Sequence, residues 1–225
     1  MRLLIFGATG TMGVLIARRF LSVYPSCTLI LFVRDAAKLP MDLADHKSIV
    51  VIEGQLDHMA DLSKAMEGVD AVVASLGPTG RKGPFYPSGT PIASAYARII
   101  ATMKQHGVLR LIALTTPSVR DPDDRFDLPL VLLRQTFATV ARNVAKDIVA
   151  IGNVVRADGA PLDWTLVRLA LHSRDEPTSS CAVVPGYMGD GKTGPRSSRI
   201  GAAAFIIDQL ERREWVRKAP LLSAP

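Results

Sequence analysis

RLLIFGATGTMG, residues 2–13, decides the reading of this chain. RLLIF (2–6) is an unbroken apolar run that stops at a glycine, so it reads as a strand of a parallel sheet buried on both faces. TMGVLIARRFLSVY (11–24) reads as a helix, with Val14, Ala17, Arg18 and Leu21 at helical spacing. Between them, Gly7 permits a tight turn, Gly10 lets the backbone approach a pyrophosphate, and Gly13 lets the helix pack on the strand. The start of such a helix offers free N–H groups and a partial positive charge to phosphates. The spacing is G-x-x-G-x-x-G rather than G-x-G-x-x-G, so the weight rests on its place between strand and helix.

Outward from this unit, strand and helix signals alternate. Strands are expected at 28–33, 48–54, 70–77, 109–116 and 163–171. Helices are expected at 60–68, 92–107, 136–157 and 198–213, the second ended by Gly107. The third carries a stripe of Phe137, Val140, Val144, Ile148, Ile151 and Val155. The expectation is an α/β fold of Rossmann type: a doubly wound, mainly parallel sheet with helices on both faces and a small C-terminal substrate-binding portion. One domain spans 1–225, with substrate-site loops at about 78–90, 117–133 and 172–197.

The second strand should end beside the adenosine ribose of a bound dinucleotide. An acid there suits the 2′-hydroxyl of NAD, an arginine the 2′-phosphate of NADP. The strand ends LFVRDAAKLP (31–40). Arg34 sits nearest its tip and Lys38 adds a second cation, which favours NADP(H); Asp35 is a rival acceptor that would favour NAD.

Composition narrows the classes. Apolar residues make up 48% and charged residues 21%, as in an ordinary soluble globule. No apolar run approaches a membrane span, and the N-terminal LLIF is too short for a secretory core, so a cytoplasmic protein is expected. Cys27 and Cys181 match no metal or redox spacing. The net charge of +6 is scattered and aromatics are only 6%, which argues against nucleic acid. The expected partner is a small-molecule substrate, with the chain a monomer or homodimer.

GATGTMG, VRDAAKLP, GVDAVVASLG, WTLVRLALH and SSRIGAAAFIIDQLERREWVRKAPLLS together resemble the NmrA-like, NAD(P)-binding atypical short-chain dehydrogenase/reductases, and among them the biliverdin-IXβ reductase/flavin reductase type. The resemblance runs from Met1 to about Ser223. It implies NADP binding and reduction of a planar, conjugated substrate. It also implies that Gly7, Thr9, Gly10, Thr11, Met12 and Gly13 hold the pyrophosphate and Arg34 the 2′-phosphate. Gln55 and Leu56 would flank the adenine, Leu76 and Gly77 would line the cofactor, and Thr115, Thr116 and Leu169 to His172 would border the nicotinamide. Gln55 stands where the family often has Asp, and Leu169 where proline usually follows the strand-six arginine.

The usual acid of such reductases, a tyrosine with lysine four residues on, is absent. Tyr24, Tyr86, Tyr96 and Tyr187 are followed at that offset by Thr28, Thr90, Ile100 and Gly191. Lys146 faces away from the apolar stripe of its helix and reads as solvated. Two candidates for proton chemistry remain. Thr116 could donate to a substrate oxygen, against an ordinary strand-end threonine; His172 could act as acid or cofactor contact, against a surface histidine. Phe85, Tyr86 and Tyr187 are either walls for a flat substrate or core. Asp121, Asp123, Asp124 and Asp127 read as a solvated acidic loop, and His46, His58, His106 and His172 are too scattered for a metal site. The leading reading is an NADPH-dependent oxidoreductase. An isomerase or cyclase without net redox, and a dinucleotide-sensing regulator, stand as alternatives.

Overall fold

β1 (Arg2–Phe6) sends successive side chains into two separate cores, Leu4 and Phe6 to one and Leu3 and Ile5 to the other. That is the period-2 geometry of a strand covered on both faces, and it explains why the run is apolar throughout. The computed structural model describes residues 1–78, 85–172 and 182–224; of Leu133, Leu171 and His172 only the backbone is described. β2 (Thr28–Val33), β3 (Ile49–Glu53), β4 (Ala71–Ala74), β5 (Arg110–Thr115) and β6 (Asp163–Leu169) join β1 in parallel, in the order β3-β2-β1-β4-β5-β6. β10 (Leu221–Ser223) continues the sheet parallel to β6, and β8 (Val184–Gly186) closes it antiparallel. The C-terminal portion thus extends the same sheet.

One face carries α3 (Met59–Met66), α4 (Pro91–Gln105) and α6 (Arg142–Ala157); the other carries α1 (Thr11–Val23) packed on α7 (Arg199–Arg212), with the single turn α2 (Met41–Ala44) burying Leu43 on that same side. The end of α4 follows the expected glycine signal. Gly107 sits at φ +70, and the amides of Gly107 and Val108 return to the carbonyls of Lys104 and Met103 at 3.3 and 2.9 Å.

Three expectations need correction. The single helix over 136–157 is two helices: α5 (Leu128–Val140) ends at Ala141, whose φ −124, ψ 52 are not helical, and α6 begins at Arg142. Val140, placed on the buried stripe, is exposed, because the stripe changes direction at that break. The loop expected at 117–133 is shorter, since α5 starts at Leu128, capped by Asp127 accepting from the Leu130 amide at 2.9 Å. The 172–197 segment contains β8 and β9 (Arg196–Ser197), the latter paired with β7 (Leu171–His172); 173–181 lies outside the described residues, as does 79–84 of the loop expected at 78–90. Among the described residues no helix is long and apolar enough to cross a membrane.

Candidate functional site

The chain reverses direction across the sheet between β1 and β4, and the crevice at their C-terminal ends is where such folds take ligands. Two loops meet there at closest approach. A Cβ on Gly7 (φ +77) would stand 2.4 Å from the Ser75 carbonyl oxygen, so only glycine fits. A Cβ on Gly13 would stand 2.2 Å from the Gly7 carbonyl oxygen, which is why α1 can start directly under the turn.

Gly10 is the N-cap of α1 and supplies no side chain; its carbonyl accepts the first bond of the helix, from the Val14 amide at 2.9 Å. The helix cannot itself satisfy the amides of Thr11, Met12 and Gly13. No acidic residue occupies its first turn. Other helices resolve this end within the protein: Asp127 caps α5, and Ser198 caps α7 by accepting from the Gly201 amide. Thr9, Gly10 and Thr11 are exposed at this uncapped helix start. The cradle fits the pyrophosphate of a dinucleotide by shape and by charge.

A cleft of about 410 Å³ runs from Gly7 and Thr9 past the ends of β2 and β4. Arg34, Leu56, Leu76, Gly77, Tyr86 and Pro87 are among its walls. A model of a family described as NAD(P)H-binding matches residues 7–213. The chain belongs to that family. A wide-type short-chain dehydrogenase/reductase from Veillonella parvula DSM 2008 in complex with NADP superposes with a TM-score of 0.79 at 18% identity, covering 100% of this chain and 94% of that one. An anaerobillin reductase, ChuY from Escherichia coli O157:H7, superposes with a TM-score of 0.72 at 16% identity, covering 100% and 98%. Likeness at such identity establishes the Rossmann fold, and the family model establishes NAD(P)H binding.

The rivals at the tip of β2 separate clearly. Asp35 accepts from the Ala37 amide at 3.1 Å and pairs with Lys38 at 3.0 Å; the Lys38 ammonium holds its carboxyl below the usual range. Arg34 is exposed and lines the cleft; Lys38 does not line it. Of the expected adenine pair, Leu56 lines the cleft, whereas Gln55 is exposed outside its lining and is fixed through its amide by Asp61 at 2.9 Å.

At the far end, Thr115 is buried at the tip of β5 with its hydroxyl unpartnered among the described residues. Thr116 accepts from the Ser118 amide at 3.3 Å, which leaves its own proton available. Leu169 is half-buried and paired with Leu222 across β6 and β10. His172 is placed by its backbone in β7, opposite Ser197; its side chain lies outside the described residues.

Tyr86 turns out to be a cleft wall held from behind. Its hydroxyl donates to Asp147 at 2.6 Å, and Asn143 donates to its carbonyl at 3.0 Å. Burial first, then Asp147, push this phenol well above its usual range, so it stays a donor. Asp147 is wholly buried on α6 and also accepts the amides of Ile92 and Ala93, the orphan donors at the start of α4. Sequence reasoning missed it. The available signal was a carboxylate three residues after Val144 and four before Ile151, on the edge of an apolar stripe. Phe85, by contrast, is 90% exposed, and Tyr187 packs at a tilt against Trp215, ring centroids 5.6 Å apart.

The acidic loop is not simply solvated. Asp124 binds the fully buried Arg168 through both oxygens, at 2.6 and 2.8 Å, and accepts the Met188 amide at 3.0 Å. Asp121 accepts the Ala219 amide at 3.2 Å, and Asp127 caps α5. An arginine enclosed at the end of β6 demands a carboxylate, and this loop supplies it.

Proposed function

We propose that the chain is an NADPH-dependent oxidoreductase that reduces a planar or conjugated small molecule. Arg34 carries the reading: an exposed guanidinium on the cleft wall at the tip of β2, without a partner among the described residues, beside an Asp35 already engaged by Ala37 and Lys38. A guanidinium there clamps a 2′-phosphate through two parallel hydrogen bonds, and Asp35, already engaged, is not left over to favour a ribose hydroxyl. Bound NADPH supplies a hydride. The residues of this chain hold and screen the reactants: the amides from Thr11 to Gly13 take the pyrophosphate, Leu56 flanks the adenine, and Leu76 and Gly77 line the cofactor after β4. Thr116 keeps a proton free to donate to a substrate oxygen, which suits an acceptor that takes hydride first and its proton afterwards.

Calorimetric titration with NADPH, NADP⁺, NADH and NAD⁺ tests the reading. The NADP pair is expected to bind at least about tenfold more tightly, and Arg34→Ala to erase that difference while leaving NADH nearly unchanged. Equal loss of both in Arg34→Ala would remove the 2′-phosphate role. Oxidation of NADPH by quinones, flavins or enones is the expected activity, and product formation without net oxidation would point to an isomerase instead.

A further inference from the structure

α5 and α6 diverge from their junction at Ala141, and a groove of about 390 Å³ opens between them. It shares no residue with the dinucleotide cleft. Arg120, Arg134 and Arg156 line it, with no carboxylate among its described lining residues. Ala138, Ala145 and Val149 give it an apolar wall.

The nearby acids are committed elsewhere. Asp124 is spent on Arg168, and Asp121 on the Ala219 amide and on Arg156 at 3.7 Å. Arg156 is held further by donating to the Arg120 carbonyl at 2.6 Å. The guanidiniums of Arg120 and Arg134 make no hydrogen bond or ion pair among the described residues. Burial, then the charge of Arg120, push the Arg134 guanidinium below its usual range, and the Asp124 carboxylate offsets only part of this. Arg134 is thus partly desolvated and repelled by its neighbour, with its guanidinium donors unused among the described residues. Both arginines also line a second cavity of about 240 Å³, together with Asp121, Asp124, Phe126 and Met188; the two carboxylates line that cavity and not the groove.

We propose that this groove binds an amphipathic anion, a carboxylate or phosphate on an apolar body, with Arg134 and Arg120 clamping the anion and the α5–α6 wall taking the apolar part. An anion between the two guanidiniums replaces their repulsion with paired, charge-assisted hydrogen bonds. Ser118, two residues beyond Thr116, lies at the groove, so the ligand reaches the loop that leaves β5. Two sources share this chemistry: the anionic tail of the substrate, which rests on the reductase reading, or a separate anionic effector, which does not.

The test is calorimetric titration of the full chain, with and without saturating NADPH, using decanoate as the anionic probe and decanol as its uncharged counterpart. Decanoate is expected to bind at least about tenfold more tightly than decanol, and Arg134→Gln to remove that advantage. Lys146→Gln, an exposed change on α6 outside the groove, is expected to leave it intact. Should Arg134→Gln fail to fold by circular dichroism, the exposed Arg120→Gln carries the same test with the same direction. No decanoate binding, equal binding of the two probes, or wild-type affinity in the arginine variants overturns the proposal. Given the site, competition of decanoate with a conjugated acceptor for NADPH oxidation assigns it to the substrate tail, and inhibition or activation without competition assigns it to an effector. Because binding is read without turnover, a chain that binds decanoate but oxidises no NADPH keeps the groove and loses the reductase reading.

Discussion

Two loops leave the C-terminal edge of the sheet and are held by opposite means. The turn after β1 is held by absences: no Cβ at Gly7 or Gly13, and no side-chain cap on α1. The loop after β5 is held by charge, with Asp124 and Asp121 folded back onto Arg168 and the Ala219 amide. The first leaves backbone donors facing outward for a ligand. The second spends its buried carboxylates internally and so fixes the ground on which α5 stands. Ligand-ready and structural loops are told apart here by where the hydrogen bonds end.

The charged loop should be the more costly to break. Arg168→Met leaves the Asp124 carboxylate, 8% exposed, without its cation, and Asp124→Asn leaves the arginine without its anion. Each is expected to destabilise by about 3–5 kcal/mol in urea unfolding. The double variant should lose clearly less than the sum, since the second change removes a group already stranded. Purely additive losses would mean that the pair is not the unit. The pH dependence sharpens the point. Burial alone would raise the Asp124 carboxyl, but Arg168 and the backbone amides hold it below the usual range. A carboxyl depressed by folding stabilises above its unfolded value, about 3.9, and that stabilisation is lost as pH falls through the folded value. The gap between wild type and Asp124→Asn should therefore be full at neutral pH and narrow below about pH 4.

The glycine turn comes next. Gly7→Ala must either abandon φ +77 or push against the Ser75 carbonyl, so a loss of at least about 2 kcal/mol is expected, together with loss of dinucleotide binding. Gly77→Ala is the contrast within the same cleft: its Cβ would meet nothing within 4 Å, and stability should be almost unchanged. Similar losses at the two positions would show that close approach is not what selects glycine here.

This contrast also explains what could be read from the chain. β1, the turn and α1 follow from adjacent residues, because alternation between two cores and the glycine positions are local rules. Asp35 against Arg34 could not be weighed that way, because Asp35 bends back on Ala37 and Lys38, a matter of side-chain direction. The α5–α6 break was hidden because apolar residues continue through Val140, although that side chain points to solvent. Arg168 and Asp124 are 44 residues apart, and Asp147 serves the start of a helix 54 and 55 residues upstream. Polar pairs at such separations leave no periodic trace, so an acidic cluster defaults to a solvated loop.

Tyr86 stands between the two kinds of loop, and the smallest expected effect belongs to it. Its ring walls the dinucleotide cleft, yet its hydroxyl is spent internally on Asp147. Tyr86→Phe keeps the ring and removes one donor from a buried carboxylate that retains the Ile92 and Ala93 amides. A loss of about 1–2 kcal/mol is expected, with NADPH affinity weakened only a few-fold through a faster off-rate. Asp147→Asn should be worse for stability, because it also weakens the cap on α4. If Tyr86→Phe left stability unchanged but abolished NADPH binding, the hydroxyl would belong to the cleft, and Tyr86 would join the glycine turn as a ligand-facing element. If stability falls while binding changes little, the ring alone serves the cofactor, and the cleft wall owes its position to a carboxylate on a neighbouring helix.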